Sequence, residues 1–221
     1  MREQMVYDPH YFQLRETQLK RMLAIVEQTK DAQPGGVVFF GDSLTEIYPL
    51  EESYSELPLK YNCGIGGATS KLLLNMVDEG VIKYQPKLVV LMVGINDLGN
   101  TVMLSPREIA VNIARVIDVI RGNCPDAKVL LWSTLPCVEA LRDYHHVAGI
   151  RCNDFSKMIF ELCHETVRDP LTTFVDVFPQ FVAADGEALT EFYQDGLHLN
   201  EKGFERLTAL LKPEILKLLG E

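Results

Sequence analysis

Eight residues, Lys87-Leu88-Val89-Val90-Leu91-Met92-Val93-Gly94, constrain the fold of this chain more than any other stretch. From Leu88 to Val93 the run is apolar without a break. A strand that alternates apolar and polar residues can leave one face in water, but a strand apolar throughout needs cover on both faces. Such a strand belongs at the centre of a parallel sheet with helices on either side. The chain's 221 residues suit one domain with a sizeable core.

The remaining elements fit that frame. Asp8-Pro9 has the form of an N-cap followed by a first-turn proline. Tyr11, Leu14, Leu19, Met22, Leu23 and Val26 then recur at helical spacing, predicting an amphipathic helix to about Lys30. Residues 1–35 form an N-terminal helical segment, expected to pack on the core of a single domain spanning 1–221. Its apolar stripe suits either that packing or a homodimer contact. Pro34-Gly35-Gly36 leads into a strand, Val37–Phe40, and Leu59–Cys63 is a second, weaker one. Thr69 or Ser70 can cap a helix whose Leu72, Leu73, Met76 and Val77 form a buried stripe. Ser105-Pro106-Arg107-Glu108 joins a capping serine, a first-turn proline and a glutamate three residues after the cap, and the helix it starts runs to Gly122. A strand at Val129–Trp132, a loop from Leu135 to about Val147, a helix around Ile150–Val167 and a short strand at Phe174–Val177 follow. The last helix starts near Asn200, and Pro213 should kink or restart it, because proline lacks the amide a helix interior uses. Strands alternate with helices about five times, which predicts an open parallel sheet with right-handed crossovers. In such sheets ligands bind beyond the carboxyl ends of the strands.

Composition removes several classes of function. A formal net charge of −10 argues against nucleic acid and against anionic membrane surfaces. No apolar segment reaches the ~20 residues of a bilayer span, so stable membrane insertion is not expected. The start of the chain lacks the apolar core of a signal peptide, and a cytoplasmic location is the expectation. The five cysteines are scattered, no two of them in a Cys-x-x-Cys pair, and read as reduced core thiols. His145 and His146 are adjacent, a poor spacing for chelation on one helix face, and no metal or other cofactor is expected.

Four segments fall at the rim formed by the carboxyl ends of the strands. Val37-Val38-Phe39-Phe40 stops in Gly41-Asp42-Ser43, delivering a hydroxyl to a strand end where a helix should begin. Ser43 is a candidate nucleophile, and a serine needs a base to become one. His198, in Asp195-Gly196-Leu197-His198, can serve, with Asp195 orienting one imidazole nitrogen and the other facing Ser43. His198 also reads as a polar turn residue over the sheet edge. Gly64-Ile65-Gly66-Gly67 can cradle a phosphate, aim a bare amide at an oxyanion, or simply make a tight turn. It matches neither the dinucleotide fingerprint nor a P-loop. Asn96, in Gly94-Ile95-Asn96-Asp97, can donate to an oxyanion or cap its own turn. Asp42 and Asp97 each follow a strand end closely and read as supports for loop amides.

Together, and in this order, the blocks resemble the SGNH (GDSL-type) hydrolase family, particularly its branch similar to the platelet-activating-factor acetylhydrolase catalytic subunits. Gly41-Asp42-Ser43-Leu44 matches the block that names the GDSL group. Asn62-x-Gly64-Ile65-Gly66-Gly67 matches the second block, Gly94-x-Asn96-Asp97 the third and Asp195-x-x-His198 the fifth. Thr45 stands where the Gly-x-Ser-x-Gly elbow of the larger α/β-hydrolase fold has its second glycine. The resemblance implies a three-layer α/β/α sandwich on a five-stranded parallel sheet, the flavodoxin-like SGNH hydrolase fold. It implies that Ser43 is nucleophile, His198 base and Asp195 its orienter, with the amides of Ser43 and Gly67 and the Asn96 side chain as oxyanion hole. The expected activity is hydrolysis of short acyl esters, acetyl esters above all, through an acyl-enzyme, with a small acyl ester as partner. The loop Leu135–Val147 and the segment Phe178–Tyr193 are expected to shape the pocket, neither being long enough to roof a deep lipid tunnel. Thioesterase or lysophospholipase activity, or a non-catalytic binding module on the same fold, are the alternatives.

Overall fold

The computed structural model describes residues 14–98, 104–138 and 152–220. Five strands, β1 (Val37–Gly41), β2 (Lys60–Gly64), β3 (Leu88–Met92), β4 (Lys128–Trp132) and β5 (Thr172–Val175), form one parallel sheet in the order β2-β1-β3-β4-β5. The helices are α1 (Glu16–Thr29), α2 (Ser43–Glu46), α3 (Leu50–Ser53), α4 (Ser70–Gly80), α5 (Pro106–Asn123), α6 (Asn153–Thr166) and α7 (Glu201–Leu219). The order turns outward from β1 in one direction and from β3 in the other. The crevice between these strands is where an open α/β sheet binds its ligand.

Alternation along the strands builds two cores. Val38, Phe40, Val89, Leu91, Val129 and Leu131 face one side, against α4, α5 and α6. Val37, Phe39, Leu88, Val90, Met92, Leu130 and Trp132 face the other, against α7 and the Tyr48–Tyr54 region. The unbroken apolar run therefore lies between two covered faces, as its composition requires. Helix α5 has the expected cap: Ser105 Oγ accepts from the Glu108 amide at 3.3 Å while Glu108 reaches back to the Ser105 amide at 2.9 Å. Thr69 caps α4 by accepting from the Leu72 amide at 3.2 Å. The expected stripe Leu72, Leu73, Met76 and Val77 is buried.

Three sequence expectations are corrected. Helix α1 begins at Glu16, after non-helical Leu14 and Arg15, whereas Asp8-Pro9 and Tyr11 lie outside the described residues. Its buried face is Gln18 and Ile25, with Met22 packed beside the core, while Leu19 and Leu23 are 44% and 68% exposed. Apolar spacing reveals a stripe but not which flank of it meets a neighbour. Strand β5 is two residues earlier than the sequence suggests, because its half-buried side chains give little apolar contrast. Helix α7 continues through Pro213 without a break; Leu207, Leu211 and Ile215 on its buried face carry it past the missing amide.

Candidate active site

Strand β1 ends where only glycine fits. A Cβ on Gly41 would stand 2.2 Å from Thr45 Oγ1 and 2.5 Å from the Met92 carbonyl oxygen. Asp42 follows, fully buried, its Oδ1 accepting from the Leu44 amide at 3.0 Å as the cap of α2. Ser43 is the first residue of α2. Its amide is one of the donors a helix start leaves without an intrahelical partner, and its hydroxyl lies 2.9 Å from His198 Nε2.

His198 belongs to a turn beyond the sheet. Asp195 Oδ2 lies 2.7 Å from His198 Nδ1, and Asp195 Oδ1 accepts from the amides of Leu197 at 3.0 Å and His198 at 2.7 Å. One carboxylate thus shapes the turn with one oxygen and holds the imidazole with the other. Gly196, at φ 83°, makes the reversal possible. The turn is joined to the loop after β4 by the Val138 amide on the Gly196 carbonyl at 2.7 Å and by the Tyr193 hydroxyl on the Pro136 carbonyl at 2.5 Å. Asn200 caps α7 immediately afterwards, accepting from the Gly203 amide at 3.0 Å.

The glycine loop after β2 separates its two central amides. The Gly66 amide donates to Glu46 Oε2. The Gly67 amide meets no acceptor among the described residues, and neither does that of Ser43. Asn96, 4% exposed, donates from Nδ2 to the Ala68 carbonyl at 3.0 Å, which fixes its amide plane and leaves a second hydrogen on the same nitrogen. Asp97 points the other way. Both its oxygens accept from the Ser70 amide, at 3.0 and 2.8 Å, and Oδ1 accepts from the Ser70 hydroxyl at 2.6 Å. Burial pushes the Asp97 carboxyl up to about 7 against the pull of those hydrogen bonds, with nearby Asp42 adding to the rise.

The structure therefore brings Ser43, His198 and Asp195 into one hydrogen-bonded chain. Ser43 and Asn96 stand at the ends of neighbouring strands β1 and β3, with the Gly67 loop at the end of β2. Asp42 and Asp97 are loop supports, as their sequence setting suggested. Sequence reading missed Glu46 and Arg21, which brace the glycine loop; the only available signal was a carboxylate one helical turn after Ser43. Cys63 and Cys163 are buried thiols pushed up to about 12 by desolvation, so neither competes as a nucleophile. Among the described residues no three His, Cys, Asp or Glu are grouped to hold a metal ion, and no helix is long and apolar enough to cross a membrane. Of the two segments expected to shape the pocket, residues 139–147 lie outside the described residues. Phe178 and Phe181 of the other are buried in the core.

A model of the GDSL-like lipase/acylhydrolase family matches residues 39–206. Platelet-activating factor acetylhydrolase IB subunit alpha1 of Bos taurus is 30% identical over 201 residues, covering 89% of this chain and 81% of that one. A solved structure from Streptococcus pneumonia, provisionally described as a platelet activating factor, superposes with a TM-score of 0.82 at 26% identity, covering 90% and 93% of the two chains. A GDSL-like lipase from Bacteroides thetaiotaomicron does so with a TM-score of 0.72 at 26% identity, covering 89% and 97%.

Proposed function

The chain belongs to the GDSL-like lipase/acylhydrolase family and is a carboxylic ester hydrolase, and from that premise we propose that it cleaves short acyl esters, acetyl esters first, with Ser43, His198 and Asp195 as its triad. The observation that carries the reading is the unbroken relay from Asp195 Oδ2 through both imidazole nitrogens to Ser43 Oγ, at 2.7 and 2.9 Å. Serine is a weak nucleophile until a base within hydrogen-bond reach accepts its proton. His198 Nε2 has that position, and Asp195 holds Nδ1 protonated so that Nε2 can accept.

In the first half-reaction Ser43 Oγ attacks the ester carbonyl while its proton passes to His198 Nε2. The carbonyl oxygen becomes an oxyanion within reach of the Ser43 and Gly67 amides and Asn96 Nδ2. Engagement of the Gly66 amide by Glu46 supports Gly67, rather than its neighbour, as the loop's donor. Collapse of the tetrahedral species breaks the bond to the alkoxy oxygen, which leaves as the alcohol with the proton held by His198. Water then gives a proton to His198, attacks the acyl-enzyme and releases the acid and a regenerated Ser43. Donors fixed before charge develops need no reorganisation during the step, which is where most of the rate gain arises.

Preference for acetyl esters draws support from the bovine relative, an acetylhydrolase by name. The single-domain reading of 1–221, a homodimeric state and a cytoplasmic location belong to the same proposal, the last supported by five cysteines that are joined in no disulfide. A panel of p-nitrophenyl esters from acetate to octanoate, with an acetyl thioester alongside, tests the specificity. We expect kcat/KM to be highest for the acetate oxygen ester and to fall with chain length; a maximum at octanoate, or on the thioester, overturns the acetyl-ester reading.

A further inference from the structure

We propose that Glu46, backed by Arg21 of the N-terminal helix, is a positioning residue that sets the oxyanion loop against Ser43. The proposal rests on the esterase reading of the Ser43 site. The geometry begins with the loop itself. Ile65-Gly66-Gly67-Ala68 is a turn closed by the Ala68 amide on the Ile65 carbonyl at 3.0 Å, with φ of 71° at Gly67. A positive φ at the third position is the mark of a type II turn, which differs from type I by a flip of its central peptide. That central peptide carries the Gly67 N–H. With glycine at both middle positions no side chain of the turn opposes the flip, so whatever fixes this donor comes from outside.

Glu46 supplies an external anchor at the first corner of the turn, on the Ile65–Gly66 peptide next to the one that carries the Gly67 N–H. It lies three residues after Ser43 on α2, on the same helix face as the nucleophile, and accepts from the Gly66 amide. A Cβ on Gly66 would sit 2.9 Å from Glu46 Oε2 and 4.0 Å from Ser43 Cβ, so carboxylate, loop and nucleophile share one space. Asn62 ties the same pieces from below. Its Nδ2 donates to the carbonyls of Thr45 at 2.8 Å and Glu46 at 3.1 Å, and its Oδ1 accepts from the Gly64 amide at 3.0 Å.

Arg21 completes the clamp from α1. Its Nε donates to the Gly64 carbonyl at 2.8 Å, and Nη2 donates to Asn62 O at 2.8 Å and Oδ1 at 3.0 Å. The guanidinium also lies 3.9 Å from Glu46 Oε1. That matters because a lone carboxylate beside a developing oxyanion opposes it electrostatically. Glu46 is engaged on both oxygens, by an amide and by a cation, and its side chain is only 34% exposed. The N-terminal helix is thereby coupled to a catalytic donor.

The test compares Glu46→Ala with Glu46→Gln, which keeps an acceptor oxygen for the Gly66 amide, using p-nitrophenyl acetate turnover and the amide resonances of Gly66 and Gly67. Misplacing a catalytic donor by a fraction of an ångström costs rate rather than binding; we expect Glu46→Ala to lower kcat about tenfold with KM changed less than about twofold. Glu46→Gln should recover most of that loss, and the Gly66 amide proton should move upfield in the alanine variant alone. Arg21→Gln, at a partly exposed side chain, should show a milder fall in kcat of about threefold at constant KM, and carries the test if Glu46→Ala does not fold. Alanine and glutamine variants equally impaired, or kcat unchanged in Glu46→Ala or Arg21→Gln while the melting temperature falls, overturn the proposal. Failure of the esterase reading looks different: the unaltered protein would then release no p-nitrophenol, and the Gly66 resonance alone would still decide whether Glu46 holds the loop.

Discussion

The two halves of the proposed site, its oxyanion donors and its base, are held by different means. The donor half, Ser43, Gly67 and Asn96, stands at the ends of β1, β2 and β3, three adjacent strands whose side chains fill both cores. Its loops are tied to one another by backbone and buried polar contacts, among them the Ile65 amide on the Gly41 carbonyl at 3.0 Å and Asn96 on Ala68 at 3.0 Å. The base half, Asp195 and His198, lies on a turn outside the sheet. It is attached through Tyr193–Pro136 and Val138–Gly196 and by the Asn200 cap of α7. The lesson is that the donor residues are carried on the ends of the strands themselves, whereas the base turn is joined to the cores through the side chains that flank it, Tyr193, Leu197 and Leu199, and through a few loop hydrogen bonds. Local stability varies across a structure in just this way, following burial and contact density.

Substitutions can break or sharpen that contrast. The largest effect is expected at Ser43: Ser43→Ala should reduce kcat by at least ~10⁴-fold at an unchanged melting temperature, and residual turnover above that level would place the nucleophile elsewhere. Asp195→Asn comes next, with about a 10⁴-fold loss of kcat as the imidazole is left in the wrong tautomer. Thermal melting should barely respond, because the side-chain oxygen that the substitution keeps can still accept from the Leu197 and His198 amides; a collapse of stability instead would show that the carboxylate's charge holds the turn. Asn96→Ala should cost about 10²-fold in kcat, and about 1–2 kcal/mol of stability because the Ala68 carbonyl loses its buried donor. The contrast predicts this double penalty for the donor half, and urea unfolding beside steady-state kinetics measures both parts.

Acidity probes the donor half without touching the chemistry. Asp97 has its folded carboxyl pushed up to about 7, chiefly by burial, against an ordinary value of 3.8. Since folding favours its protonated form, the contribution to stability is complete below the ordinary value and is lost as pH rises through about 7. The urea midpoint should therefore fall between pH 5 and 8, and the fall should flatten in Asp97→Asn; parallel profiles would remove Asp97 as the cause. The mildest change is Tyr193→Phe, which deletes the hydrogen bond to Pro136. It should lower kcat a few-fold and stability by about 1 kcal/mol or less, and a larger stability loss would show the base turn to be as firmly rooted as the strands.

Much of this was legible in the residues. Unbroken apolar runs at Val37–Phe40 and Leu88–Val93 announce buried parallel strands, and glycine directly after β1 announces the rim. The base half was readable only as Asp195-x-x-His198, a spacing that makes sense once a serine is known to face it. What stayed hidden depends on contacts that no local pattern encodes. Gln18 is buried on α1 because its side chain accepts from the Arg15 amide at 3.0 Å, while the more apolar Leu19 and Leu23 turn outward. The Arg21–Asn62–Glu46 clamp joins residues that are polar, separately ordinary and far apart in the chain. Periodicity reports which residues avoid water; it does not report which polar groups will find each other.

Covalent labelling with a fluorophosphonate, read by intact mass and peptide mapping, tests the central claim most directly. One adduct per chain on Ser43, absent in Ser43→Ala and formed far more slowly in His198→Ala, is the result expected of a serine activated through His198 and Asp195. An unmodified chain, or an adduct that persists in Ser43→Ala, would contradict it.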